Sequence, residues 1–251
     1  FSITAAGGTV FNWSTGATNA TISLTGVTAT TTYTVTVRDA NNCSATATRT
    51  ITVNNRPTAT ITVTETSGNV NNDGNICYNT SVTLTASGGT IYNWSNSATT
   101  AAITVGPLTA TTTYTVTVRD ANGCTSTASR TITVNPQINL STTQVDVSCK
   151  NGNNGSINLT VTGGTLPYTY DWADVAGTTN SEDRTNLTAG TYTVTVRDGA
   201  GCTASTSVTI TEPPLLTVTM TSKTDATCLQ ANGAINITAA GGTPGYTYDW
   251  A

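Results

Sequence analysis

The chain has 251 residues, of which only 9% are charged and 37% are apolar, with six cysteines and no histidine. A formal net charge of −4 lacks the basic footprint that displaces counterions from nucleic acid, and it offers no attraction to an anionic membrane surface. Without histidine, Ser-His-Asp and Cys-His nucleophilic arrangements and histidine metal sites are excluded. Thr, Val, Ala, Asn and Gly fill most positions, while the strong helix formers Leu, Lys, Glu and Met are scarce. Branched Cβ atoms suit a pleated surface, so an all-β chain is expected. No stretch is long and apolar enough to span a bilayer, so no direct membrane insertion is expected, and no signal-peptide pattern opens the chain.

The chain starts with a Gly7-Gly8-Thr9 turn, then Trp13, then the strand-and-hairpin run Tyr33-Thr-Val-Thr-Val-Arg-Asp-Ala-Asn-Asn-Cys43. The same series returns as Gly88-Gly89-Thr90, Trp94 and Tyr114 to Cys124, and again as Gly163-Gly164-Thr165, Trp172 and Tyr192 to Cys202. Its first half appears once more as Gly241-Gly242-Thr243 and Trp250. The tryptophans recur at offsets of 94 − 13 = 81, 172 − 94 = 78 and 250 − 172 = 78. A period of about 80 residues is longer than a helical or leucine-rich solenoid unit and suits a small sandwich of seven or so short strands.

The third unit shows the alternation most clearly. Ile157, Leu159 and Val161 share one face of a strand, Tyr168, Tyr170 and Trp172 one face of the next, and Tyr192, Val194 and Val196 one face of a third. The threonines between them face solvent, Asp198-Gly-Ala-Gly is a hairpin signal, and Ser205 to Ile210 closes the unit. Leu187 stands five residues before Tyr192 at a Gly-containing corner, as in the tyrosine corner of immunoglobulin-like sandwiches. Trp13, Trp94, Trp172 and Trp250, with Tyr33, Tyr114 and Tyr192, are therefore assigned to the core between sheets rather than to a sugar-binding platform.

Short linkers with proline (Asn55-Arg56-Pro57, Asn135-Pro136-Gln137 and Glu212-Pro213-Pro214) divide the chain. The expected architecture is tandem immunoglobulin-like antiparallel β-sandwich repeats forming a rod. It comprises a partial repeat over 1–55, complete repeats over 56–135 and 136–213, and a partial repeat over 214–251. Phe1 to Trp13 aligns with Val82 to Trp94, so further repeats are expected on both sides. Neighbouring repeats are thus the first expected partners.

The cysteines occupy two places, before the second strand and in the late hairpin. Taking both to lie at one pole of the sandwich, we expect disulfides Cys77–Cys124 and Cys149–Cys202, with Cys43 and Cys228 left over; six free thiols are the alternative. Disulfides imply an oxidising compartment, hence export. For other chemistry the candidates are thin. Asp171, Asp174, Glu182 and Asp183 are the nearest carboxylates to a glycosidase pair, and no catalytic residue or cofactor is assigned. Asn71, Asp73 and Asn75 form a weak calcium candidate, and Asp39, Asp120 and Asp198 recur at the hairpins, where turn chemistry explains them equally. Arg38, Arg119 and Arg197 repeat as strand-end residues or contacts between domains.

The third unit, with Cys149, Asn154-Gly-Ser-Ile-Asn-Leu-Thr-Val-Thr-Gly-Gly-Thr-Leu-Pro-Tyr-Thr-Tyr-Asp-Trp172, Leu187 to Asp198 and Gly201-Cys202, resembles the SprB-type repeat of Bacteroidetes gliding-motility adhesins. The fourth unit carries the first half of that motif, with Gly245 at the place of Pro167. The first two units lack Pro-Tyr-Thr-Tyr and resemble the related immunoglobulin-like repeats of large Bacteroidetes surface proteins. The resemblance implies a structural stalk of a very large adhesin, outside the outer membrane of a Gram-negative cell, exported by type IX secretion and moved by the motility machinery. A carbohydrate-binding module holding surface polysaccharide, or spacer domains of a secreted hydrolase, are the alternatives.

Overall fold

A computed structural model describes residues 1–177 and 180–250; among these there are twenty strands and no helix. In residues 1–55 the strands are β1 (Ser2–Thr4), β2 (Val10–Trp13), β3 (Thr21–Ser23), β4 (Thr31–Arg38) and β5 (Ser44–Ile51). Residues 56–135 carry β6 (Thr60–Thr64), β7 (Asn75–Ile76), β8 (Thr80–Ser87), β9 (Ile91–Trp94), β10 (Ala102–Leu108), β11 (Thr112–Arg119) and β12 (Thr125–Val134). Residues 136–213 carry β13 (Ile138–Val145), β14 (Gly155–Gly163), β15 (Thr169–Trp172), β16 (Arg184–Leu187), β17 (Gly190–Arg197) and β18 (Thr203–Ile210). Then come β19 (Thr217–Thr224) and β20 (Ala234–Ala240).

One sheet pattern recurs. The Trp strand, the Tyr-x-Val-x-Val strand and the closing strand form β2-β4-β5, β9-β11-β12 and β15-β17-β18, with the Tyr-x-Val-x-Val strand between the other two. The opposing sheets are β1-β3, β6-β8-β10 and β13-β14-β16, and residues 214–251 contribute the pair β19-β20. The hairpin register is the same in the first and third copies: Arg38 pairs with Ser44 and Arg197 with Thr203. By spatial proximity the chain forms two compact units. The first holds Phe1–Ile61, Thr85–Ile103 and Tyr114–Arg130; the second holds Thr62–Leu84, Thr104–Thr113 and Thr131–Ala251. The whole of 136–213 thus lies in the second unit.

Period-2 alternation builds each core. In the third repeat Val147, Ile157, Leu159, Trp172, Leu187, Val194, Val196, Val208 and Ile210 form one buried cluster, against which Tyr168, Tyr170 and Tyr192 pack half-buried. In the first repeat Trp13, Ile22, Tyr33 and Val35 form the equivalent cluster. Trp94 and Tyr114 are buried as well. Each buried indole N–H finds a loop carbonyl: Trp13 donates to Asn19, Trp94 to Thr100 and Trp172 to Ser181, at 2.9, 2.9 and 3.0 Å. That satisfies the one polar atom of an otherwise apolar side chain. Trp250 departs from the core assignment and is 63% exposed. The strand that covers its equivalents is the Tyr-x-Val-x-Val strand, which residues 214–251 do not supply.

The opposite faces carry hydroxyls in register. Thr32 and Thr50, Thr113 and Thr131, Thr115 and Ser129, Thr191 and Thr209, Thr193 and Ser207, and Thr195 and Ser205 bond across strands at 2.8–3.1 Å. Such pairs each add a few tenths of a kcal/mol, about 0.2–1, and keep a low-charge surface wetted. The Gly-Gly-Thr turn recurs because its first glycine has positive φ (98°, 104°, 73° and 75° at Gly7, Gly88, Gly163 and Gly241). A Cβ on Gly163 would also sit 2.0 Å from the Gln137 carbonyl oxygen. The Tyr192 hydroxyl donates to the Thr188 carbonyl at 3.0 Å, closing the corner before β17.

Candidate functional site: the joint between consecutive repeats

Strand direction decides what meets at each end of a repeat. In the third repeat β14 runs from the loop 146–154 down to the Gly163-Gly164 turn. The hairpin 198–202 belongs to that lower end: Gly199 donates to the Thr165 carbonyl at 2.6 Å, and Thr165 donates to the Asp198 carboxylate at 2.9 Å. The loop with Cys149 belongs to the other end, where Val147 donates to the Thr211 carbonyl, Asn151 donates to the Glu212 carboxylate, and Lys150 pairs with Glu212. Nine residues of β14 separate the two ends, about 30 Å at 3.3 Å per residue.

The expected bonds Cys77–Cys124 and Cys149–Cys202 are therefore corrected. A disulfide cannot bridge Cα atoms more than about 7 Å apart. Instead Cys77, from the upper loop of the second repeat, bonds to Cys202, in the lower hairpin of the third, with Cα atoms 5.5 Å apart. Cys43, Cys124, Cys149 and Cys228 are free thiols.

Around the disulfide the two repeats mesh through polar groups. Asn69 Nδ2 donates to the Gly199 carbonyl at 2.7 Å, and Arg197 Nη2 donates to Asn69 Oδ1 at 2.9 Å. Asn135, in the linker, places its Nδ2 3.8 Å from Cys202 Sγ. Arg197 is thus a contact between repeats, whereas Arg38 bonds within its own hairpin to Asn42. The recurring aspartate presents the cysteine. Asp198 is buried, and its Oδ1 accepts from the backbone of Ala200 and Cys202 at 3.0 and 2.8 Å. Asp39 holds Asn41 and Cys43 in the same way, and Asp120 holds Asn122 and Cys124. The residue before each cysteine has positive φ, which Gly123 and Gly201 adopt freely and Asn42 tolerates.

The upper loop is equally preset. Buried Glu65 accepts from the backbone of Ser67 at 2.8 Å and of Asp73 at 3.3 Å, and Cys77 donates to Ser67 Oγ at 3.2 Å. Of the calcium candidates, Asn71 is exposed, while both Asp73 carboxylate oxygens accept from Asn75, at 2.7 and 2.9 Å. Their oxygens are arranged to hold a turn. Among the described residues no three His, Cys, Asp or Glu side chains converge as metal ligands.

The carboxylates near Trp172 hold the fold in place. Asp174 forms a two-pronged pair with Arg184 at 2.9 and 2.8 Å, and the Arg184 guanidinium lies 5.3 Å from the Trp172 ring centre and 5.8 Å from that of Tyr192. Asp183 accepts from the Leu159 amide at 3.0 Å. Asp171 is half-buried, and burial, with the Glu182 carboxylate nearby, pushes the Tyr170 hydroxyl above its ordinary range. The Arg184 hydrogen bonds hold the Asp174 carboxyl below the usual carboxylate range. A depressed folded value means that the pair stabilises fully above about pH 4 and is lost as pH falls through the lowered value. Its side chain is 42% exposed, so the contribution is screened and amounts to under about 1 kcal/mol. Asp174→Asn is expected to flatten the loss of melting temperature between pH 5 and about 3; an unchanged slope in thermal melts would contradict this.

Trp13, Trp94 and Trp172 are buried, so none offers a face on which a sugar could stack.

A family model described as the SprB repeat matches residues 141–177 and 220–251, and one described as an Ig-like domain, CHU_C associated, matches residues 65–136. No curated protein matches the chain. Among solved structures, the N-terminal eight Ig domains of Down syndrome cell adhesion molecule isoform 1.30.30 align at 16% identity and a TM-score of 0.44, over 78% of this chain and 29% of that one. The N-terminal four Ig domains of Dscam1 isoform 6.44 align at 11% identity and a TM-score of 0.24, over 84% and 65%. Cadherin domains 1–5 of protocadherin gamma B2 align at 12% and 0.26, over 86% and 54%. The chain thus spans less than two thirds of each of these proteins. With its all-strand sheets and family matches, the chain is an all-β, immunoglobulin-like array carrying SprB repeats and a CHU_C-associated Ig-like domain, both repeats of the Bacteroidetes surface-adhesin type.

Proposed function

We propose that this chain is a stretch of the stalk of a large adhesin on the outside of a Bacteroidetes cell, serving surface attachment or gliding. In this reading the repeats divide near 55/56, 135/136 and 213/214 and stack as a rod. Their work is to supply length and tensile strength, and neither catalysis nor a cofactor is involved. The observation that carries it is the covalent joint: Cys77 and Cys202 bond consecutive repeats, which resists their separation. The hydroxyl-covered, low-charge strand faces fit long service in the medium. Partners are then the neighbouring repeats, with the motility machinery and surface polysaccharide acting elsewhere on the molecule.

The test is immunogold labelling of intact producing cells with an antibody to residues 56–213. Label in lines along projecting filaments is the expected result. Label confined to the medium, or to insoluble polysaccharide away from cells, overturns the stalk.

A further inference from the structure

We infer that the cysteines of this array obey one pairing rule: the upper-loop cysteine of each repeat bonds the lower-hairpin cysteine of the next. Cys77–Cys202 is the instance enclosed by residues 1–251. The rule also accounts for each free thiol. A hairpin partner for Cys149 would stand one period after Cys202, at 202 + 78 = 280, and that for Cys228 later still. A loop partner for Cys124 would stand one period before Cys77, at 77 − 81, ahead of residue 1, and that for Cys43 earlier again. The inference rests on the stalk reading only in that the array continues.

Two independent observations carry it. On the hairpin side, Cys124 stands where Cys202 does. Its Sγ lies 4.0 Å from the carbonyl oxygen of Asn54, the residue one period before Asn135, whose amide lies 3.8 Å from Cys202 Sγ. All three hairpin cysteines are held by an aspartate at 2.8–2.9 Å. On the loop side, the third and fourth repeats present their cysteine in one hydrogen-bonded turn. Ser148 donates to Asn154 Oδ1 at 3.1 Å and Asn154 Nδ2 returns to Ser148 Oγ at 2.9 Å; Thr227 and Asn232 repeat this at 2.9 and 2.8 Å. Cys149 and Cys228 are exposed at the tips of these turns. Exposed loop thiols and preset hairpin thiols are complementary halves of the joint already closed at Cys77–Cys202.

Each bond forms by oxidation of two thiols. Two protons and two electrons pass to an exchangeable protein disulfide of the exporting compartment, which becomes a dithiol. Because each bridge spans parts of two repeats, successive bridges interleave. The bridge that ends at Cys202 is followed on the same line by one that begins at Cys228, an offset of 228 − 202 = 26. The bridge that ends at Cys124 is followed by one that begins at Cys149, an offset of 149 − 124 = 25. Every repeat is then tied to both neighbours by bonds other than the backbone.

The test uses the native protein on producing cells, alkylated without reductant and cleaved by pepsin at acid pH for mass spectrometry. Expected are the Cys77–Cys202 peptide, peptides joining Cys149 and Cys228 to hairpin peptides of later repeats, and peptides joining Cys43 and Cys124 to loop peptides of earlier ones. Cross-links Cys77–Cys124 or Cys149–Cys202, alkylation of all four remaining cysteines, or covalent multimers on a non-reducing gel would overturn the rule. Cys77→Ser should leave Cys202 open to alkylation and the other bridges unchanged; loss of the other bridges would also overturn it. A stalk with reduced thiols keeps the proposed function and loses the rule, whereas bridged chains absent from filaments do the reverse.

Discussion

Stretched between its two ends, the oxidised chain is expected to release about 430 Å less contour length than the reduced chain, or than Cys77→Ser. Tension applied at the termini travels along the backbone to Cys77, crosses the disulfide and leaves from Cys202, so the residues between them carry none of it. These number 202 − 77 − 1 = 124. At 3.3–3.6 Å per extended residue they account for about 410–450 Å. They include β8 to β17, so most of both central repeats is sheltered however far the chain is pulled. In solution the same bond restricts the unfolded chain, and a loop of this length corresponds to at most about 5 kcal/mol in the chain-entropy model. Single-molecule force spectroscopy with and without reductant reads the length directly. Equal lengths in the two conditions would remove the mechanical role of the joint.

Trp172→Ala is expected to cost about 3–5 kcal/mol, while Trp250→Ala in a chain of residues 1–251 alone changes stability by no more than about 0.5 kcal/mol. Trp172 is fully buried in the third repeat's cluster, and its ring lies under the Arg184 guanidinium. Truncation opens a cavity among Ile157, Val194 and Val208. It also leaves the Ser181 carbonyl without its donor and removes the surface on which Arg184 rests. Trp250 carries the same motif but is 63% exposed, so its loss removes little buried area. Urea melts followed by circular dichroism separate the two variants. Equal effects would mean that burial beneath the Tyr-x-Val-x-Val strand is not what makes this residue matter.

The two results bear on one design. Each repeat is stabilised from within by a tryptophan and an alternating valine face, and the polar groups that remain are used for turns and joints. Asp198 illustrates this: one carboxylate shapes the hairpin, ties it to the Gly163-Gly164 turn and presents Cys202 to the preceding repeat.

Much of this was legible in the residues themselves. The period of about 80, the strand faces at Ile157-Leu159, Tyr192-Val194-Val196 and Tyr168-Tyr170-Trp172, the outward threonines and the turn glycines follow from rules that act over a few residues, namely side-chain alternation and left-handed φ. Such signals survive translation into three dimensions because the pleat and the turn are local. The partners of the cysteines were not legible in the same way. Offsets of 124 − 77 = 47 and 202 − 149 = 53 within a repeat look more natural than the separation of 125 between Cys77 and Cys202. Proximity in space, however, depends on how many strands reverse between two residues and on which end of one repeat abuts the next. Trp250 teaches the same lesson, since its motif is complete but residues 214–251 do not supply the strand that covers its equivalents. The sequence by itself determined the repeats, their strands and their inward faces; only the tertiary structure decided which ends meet, because a disulfide forms between the atoms that packing brings within reach, whatever the length of chain between them.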